Sequence, residues 1–177
     1  MAWKVDPAHT SVEFSVRHMA ITTVRGRFEK VEGSVDLKDG RLTEMRASIQ
    51  AASVNTREPQ RDEHLRSADF FDAANYPQLE FRSTRIEPRG EGRYLVVGDL
   101  TMRGQTHPVE LTAEVTDVIT DPYGQKRVGI SAEGTLRRSQ WGLTWNATLE
   151  AGRLLVADQV RIAVEVEATE VQEAASA

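Results

Sequence analysis

Most of the chain alternates apolar and polar residues with a period of two, the spacing of a strand with one face buried and one in water. In TSVEFSVRH, Val12, Phe14, Val16 and His18 share one side, and Ser11, Glu13, Ser15 and Arg17 the other. RGRFEKVEGSVDL continues the pattern through Phe28. Asp39 and Gly40 then mark a turn before LTEMRASIQAASV, where Met45, Ala47, Ile49 and Ala51 line up on one side. The first 55 residues are expected to form three antiparallel strands. Five more are predicted at QLEFRSTRI, RYLVVGDLTMRG, HPVELTAEVTDVIT, KRVGISAEGTLRR and DQVRIAVEVEATEV. The separators EPRGEG, RGQTHP, DPYGQ and QWGLTWNATLEAGRLL are rich in turn formers.

One segment breaks the alternation. TREPQRDEHLRSADFF, residues 56–71, predicts a short helix starting near Glu58 and Pro59, with Thr56 as its cap and Pro59 in its first turn. Its few apolar residues, Leu65, Ala68, Phe70 and Phe71, suit a lid rather than a core helix. ANYP ends it, because Pro77 disfavours a helical Tyr76. Eight or more antiparallel strands with short links and one helix predict an all-β fold, an up-and-down barrel or a sandwich with the barrel preferred, as a single domain over residues 1–170 with a fraying tail at 171–177. Single apolar stripes fit a sheet with one wet side and one side turned to an interior.

What fills that interior decides the function. The inward stripes supply Val12, Phe14, Val16, Phe28, Met45, Ile49, Phe81, Val96, Leu100, Leu111, Val115, Ile130, Leu136, Ile162 and Val164 as candidate lining, with His18 at the end of the first stripe. Small residues on the same stripes, Ala47, Ala51, Gly98, Ala113, Ala132 and Gly134, are expected to leave room for a ligand. A strand of eight residues spans roughly 26 Å, which a tilt of about 40° shortens to an interior of ~20 Å. At about 0.8 kcal/mol per buried methylene, ten carbons contribute roughly 8 kcal/mol before immobilisation, enough for micromolar binding without a polar anchor.

Composition removes several other functions. The 177 residues carry a net charge of −5, so no bulk basic field would hold nucleic acid or an anionic membrane surface. No apolar stretch approaches the ~18 residues of a membrane span. There is no cysteine, which excludes disulfides, thiolate metal sites and a cysteine nucleophile. MAWKVDPAHT has neither the basic start nor the apolar run of a secretory signal, so a cytoplasmic location is expected, or a periplasmic one if a leader has been trimmed. The histidines at 9, 18, 64 and 107 are too scattered for a zinc signature, and no metal is expected. No nucleophile elbow or glycine-rich phosphate loop occurs, and Asp62 and Glu63 read as a solvated face rather than a glycosidase pair. Arg61, Arg66, Arg137 and Arg138 accompany Asp62, Asp69 and Glu133. Arginine–carboxylate forks pinning the helix to the barrel mouth are the expected structural role. In the sharper alternative, one of these arginines or His18 meets a polar or phosphorylated head group.

Six blocks in order, WKVDPAHTSVEFSVRHM, GRFEKVEGSVDL, VNTREPQRDEHLRSADFFDAANYPQLEFRS, VVGDLTMRGQTHPVEL, GTLRRSQWGL and VADQVRIAVEVEA, resemble the YceI-like family of lipocalin-like polyisoprenoid-binding proteins. The resemblance runs from Trp3 to about Glu167. It places Arg61, Asp62, His64, Leu65, Phe70, Phe71, Asp72, Tyr76, Pro77 and Phe81 in family-typical positions, in a segment not known as a catalytic centre. It implies an elongated barrel closed by short helical pieces around an apolar tunnel, with Trp141 in the lining where the family commonly has Phe. A long isoprenoid or fatty chain is then the ligand, with no other cofactor, and pairing of two barrels is an expectation from the resemblance alone. The expected function is non-enzymatic storage or transport of a polyprenyl lipid or isoprenoid quinone. Two alternatives stay open: a lipid hydrolase or isomerase with His18 or His64 as general base, and an interaction module with a filled core.

Overall fold

The computed structural model describes residues 2–147 and 155–171. Its strands are β1 (Ala2–Val5), β2 (Ser11–His18), β3 (Thr22–Phe28), β4 (Val31–Lys38), β5 (Arg41–Gln50), β6 (Val54–Asn55), β7 (Gln78–Pro88), β8 (Arg93–Met102), β9 (Gln105–Val115), β10 (Ile119–Thr120), β11 (Lys126–Arg137) and β12 (Val156–Glu170). Between β6 and β7 lies α1 (Pro59–Arg66). Every strand pairing is antiparallel, and the long β11–β12 ladder closes the sheet on itself.

The closed wall has eight staves, because four of the segments are halves of two broken strands and the two-residue β6 and β10 only extend its edges. β1 and β2 pair with the same edge of β12, separated by a 3₁₀ turn at Pro7–His9 in which the Asp6 carboxylate accepts from Ala8 N–H. β3 pairs with β2, and β4 with β1, so the stave they share breaks at Glu29 and Lys30, where both backbone N–H groups turn to Ser53 instead. The three strands expected before residue 55 are thus the first three staves. β1 was not anticipated, being only four residues long. The helix and the loops at residues 103–104 and 138–147 gather at one end of the barrel. The turns at 39–40 and 89–92 lie at the other.

The turns follow their residues. Asp39 and Gly40 both take positive φ, 53° and 76°, as a tight two-residue hairpin requires. The separator RGQTHP is shorter than expected: Arg103 and Gly104 alone make the turn, and β9 begins at Gln105. Pro108 therefore lies inside a strand. β9 pairs with β11 only over Thr112–Val115, and Pro108, with no N–H to give, lies in the part of β9 beyond that ladder. The gap between β9 and β11 is filled by the 3₁₀ turn Arg138–Trp141, whose indole N–H donates to Leu100 carbonyl at 2.8 Å.

The interior packs in two layers. Trp3, Leu37, Leu42, Tyr94, Val96, Val128 and Ile130 fill the closed end as a solid floor. Val54, Phe70, Leu79, Met102, Trp141 and Leu143 pack the helical end. The tail residues 172–177, expected to fray, lie outside the described residues.

Candidate functional site

Between floor and lid the barrel holds a cavity of about 560 Å³, within the range of ~300–1,000 Å³ usual for small-molecule sites. Its walls come from the inward faces of the strands. Val12, Phe14, Val16, His18, Phe28, Met45, Ile49, Phe81, Leu100, Leu111, Leu136, Ile162 and Val164 all line it, as the alternation predicts. Phe14, Val16, Phe81, Leu136, Ile162 and Val164 stay only half-buried although they point inward. The surface they expose faces the cavity.

Four of the expected lining residues lie elsewhere. Val96 and Ile130, 0% and 2% exposed, belong to the packed floor below the cavity. Trp141, fully buried, plugs the wall between β9 and β11 and stacks edge-on against His107 at 5.3 Å. Val115 also packs on the floor. Alternation fixes the face of a strand but not the depth along the barrel.

The small residues divide in the same way. Ala47 and Ala132 line the cavity. Gly98 instead receives the ring of Phe81, since a Cβ there would stand 2.4 Å from Phe81 Cζ. Gly134 lets β9 approach, with the Glu110 carbonyl 2.5 Å from where a Cβ would be, and Ala51 and Ala113 are tightly packed. Further lining comes from Leu79, Met102 and Val109, each two residues from a predicted position on the same stripe. The alternation already held that signal.

The lid is α1 and the turns after it, through Leu65, Phe70 and Phe71. Glu58, not Thr56, is its N-cap, and it makes no side-chain cap bond. Thr56 instead anchors the helix from outside its first turn. Its N–H and hydroxyl both donate to Asp62 Oδ1, at 2.8 and 2.6 Å, in a buried contact. Arg61 donates from Nε to Thr56 Oγ1 at 2.8 Å and from Nη2 to the Thr56 carbonyl at 2.9 Å. Arg66 donates to Ala52 carbonyl and Arg103 to Phe70 carbonyl, both at 2.9 Å. The expected arginine–carboxylate forks do not form here. The lid arginines bind carbonyls and a hydroxyl, the acceptors that a chain leaving its ladder leaves unpaired.

Asp62→Ala is accordingly expected to lower stability by ~1.5–3 kcal/mol, because it leaves the Thr56 N–H buried without an acceptor. Urea unfolding measures this; an unchanged midpoint would mean that Arg66 and Arg103 hold the lid without it.

His64 borders the cavity with Nε2 2.9 Å from Asp69 Oδ2, its ring edge-on to Trp145 at 4.6 Å and to Phe70 at 5.1 Å. No hydrogen bond joins His64 or His18 to a hydroxyl or thiol nucleophile among the described residues. Arg138, 6% exposed, also borders the cavity and donates to the carbonyls of Ala157, Leu143, Trp145 and Val156. Burial pulls its guanidinium below the ordinary arginine range, partly offset by Asp158.

A second polar cluster sits at the closed end, away from the cavity. His9 Nδ1 lies 2.9 Å from Asp6 Oδ2 and 3.0 Å from Glu167 Oε2, a grouping that could in principle hold a metal ion. Arg127 already approaches both carboxylates, at 3.3 and 3.5 Å, and pairs with Asp121 at 2.8 Å. A resident cation makes that a poor place for a second one. The bond to Asp6 raises the His9 pKa, and the His9 and Arg127 contacts lower that of Asp6. Sequence scatter concealed the cluster, because Glu167 comes from the last strand.

A lipocalin-like antiparallel β-barrel with an apolar cavity under a helical lid is the class of protein these features define. The YceI-like domain model matches residues 3–168, and the chain belongs to that family. A UPF0312 protein of Vibrio cholerae is 35% identical over 138 residues, covering 77% of this chain and 73% of that one. BcnA of Burkholderia cenocepacia has the same fold, with a TM-score of 0.80 at 23% identity over 92% of this chain and 98% of its own. A domain from Saccharophagus degradans, described as polyisoprenoid-binding and implicated in plant cell wall breakdown, aligns with a TM-score of 0.72 at 14% identity, over 96% of this chain and 98% of its own.

Proposed function

We propose that the protein is a non-enzymatic carrier or store for one long apolar ligand, a polyprenyl lipid or isoprenoid quinone, held in the barrel. The observation that carries this reading is the half-exposed ring of inward apolar side chains around a cavity of about 560 Å³. Those side chains leave apolar surface uncovered, and a hydrocarbon chain that covers it gains about 25 cal/mol per Å². The polyisoprenoid-binding description of the Saccharophagus domain, together with membership of the family, supports the isoprenoid choice. A filled-core interaction module fits the floor of the barrel but not the cavity above it.

The catalytic alternative would use His64, the histidine with an orienting carboxylate at the cavity edge. Incubation with long-chain esters and polyprenols separates the two readings. Lipid recovered unchanged after prolonged incubation is the expected result. Product formation that disappears in His64→Ala would replace the carrier reading with an enzyme.

A further inference from the structure

We propose that the mouth of the cavity contains an anion subsite at Arg138, so that the preferred cargo is a long apolar chain ending in a carboxylate or phosphate. This rests on the carrier reading and adds the head group to it.

Among the described residues Arg138 is the most buried cation on the cavity wall, at 6% exposure. The other arginines lining the cavity among the described residues are surface groups with local partners: Arg61 on Thr56, Arg46 on the Glu44 carboxylate, and Arg17 on the Ala20 and Ile21 carbonyls and the Thr23 hydroxyl. Arg138 differs in its charge balance. Its Nε donates once, Nη1 twice and Nη2 once, all to neutral carbonyls, which accounts for four of the five guanidinium N–H groups. No carboxylate of the described residues comes within ion-pair distance of it. Asp158, the acid that acts on it from further off, already accepts from Ser139 N–H at 2.9 Å and Ser139 hydroxyl at 2.8 Å. Carbonyl dipoles satisfy hydrogen bonds but leave a net charge in a low-dielectric wall, which is costly unless a counter-charge is supplied. Arginine stays protonated there, so neutralisation by proton loss is not an escape.

The surroundings are arranged for a ligand rather than for water. The guanidinium carbon stands 5.9 Å from the centre of the Phe70 ring, and Phe70 packs on Trp145 at 5.5 Å. His64 lies against both rings, with its Nε2 2.9 Å from Asp69 Oδ2. Glu58 is the lid's own carboxylate on the lining, and it is exposed. A chain threaded into the apolar barrel with an anionic end at Arg138 would bring a counter-charge that none of the described residues places within ion-pair distance, and an acceptor for the fifth N–H. A neutral alcohol or quinone supplies at most the acceptor.

The test compares probes with one tail and two head groups: stearate against octadecanol, and geranylgeranyl monophosphate against geranylgeraniol. Binding is followed by tryptophan fluorescence, since Trp145 lines the cavity. The wild-type protein is expected to bind the anionic member of at least one pair about tenfold or more tightly, as a charged hydrogen bond in a buried site would give. Preference in the first pair alone points to fatty acids, and in the second alone to prenyl phosphates. Arg138→Met should bring the ratio close to one, and Arg138→Lys should restore part of it. Should Arg138→Met fail to fold, the wild-type ratio measured in 0.5 M salt decides. A ratio that persists there fits a buried cation, whereas one that collapses assigns the anion to an exposed arginine and overturns the proposal. Equal affinity for acid and alcohol in both pairs also overturns it, while leaving the carrier reading in place. If no probe binds at all, the carrier reading itself fails and the subsite with it.

Discussion

Ala47→Phe is expected to reduce the affinity for a long-chain ligand roughly fiftyfold while leaving the barrel folded. Ala47 is half-buried on β5, between Met45 and Ile49 on the inward stripe, with Gly33 and Phe81 as cross-strand neighbours. Its side chain meets the cavity, so a phenyl ring placed there occupies space that the ligand needs. If the ring displaces three methylenes, each contributing about 0.8 kcal/mol, the loss is about 2.4 kcal/mol, which is the fiftyfold figure. Inserting bulk into a packed core usually costs ~1–3 kcal/mol, but here the ring enters open volume and covers apolar surface of its neighbours. The melting midpoint should therefore stay level or rise. Unchanged affinity in a folded Ala47→Phe protein would mean that the ligand does not use the barrel interior.

Trp141→Ala should produce the largest loss of stability in the molecule, about 3–5 kcal/mol by urea denaturation. The residue is fully buried, and its role is to close a wall rather than to line a cavity. Where β9 departs from β11, the ladder leaves a seam that begins beyond Thr112. The indole fills the seam, bonds to the Leu100 carbonyl on β8 and stacks on His107 of β9, so it ties the Arg138–Trp141 turn to two staves at once. Removing it leaves a cavity and takes away the bond to the Leu100 carbonyl in the same place. The upper part of the barrel should loosen first, with faster hydrogen exchange in β9 than in β4. A loss below about 1 kcal/mol would show that Leu143 and Arg138 seal the seam without the indole.

The sequence showed the wall of this barrel better than its ends. Alternation placed Val12, Phe14 and Val16 on the inner face of β2, and Asp39–Gly40 made the hairpin that the dipeptide favours. It also marked the polar stretch 56–71 as a lid, because an apolar period of two stops there. Alternation carries no information about height along the barrel axis, which is why Val96 and Ile130 were grouped with lining residues although they fill the floor. The seam between β9 and β11 had a sequence trace, Pro108 inside an otherwise regular strand, whose meaning depends on where pairing stops. Trp141 could not be assigned without that seam. Contacts between remote segments were similarly silent: Asp6, His9 and Glu167 meet only because β12 returns beside β1. Arg138 stood out as an arginine in the sequence, but its carbonyl partners come from backbone that leaves the sheet, and side-chain chemistry does not reveal which carbonyls those are.

Native mass spectrometry of freshly purified protein, followed by organic extraction of whatever it carries, tests the lipid-carrier function most directly. A discrete adduct in the mass range of a long isoprenoid or other single-tailed lipid, lost on extraction and restored by adding the extract back, is the predicted result. Protein that arrives empty and takes up none of a panel of polyprenols, isoprenoid quinones and fatty acids would contradict it.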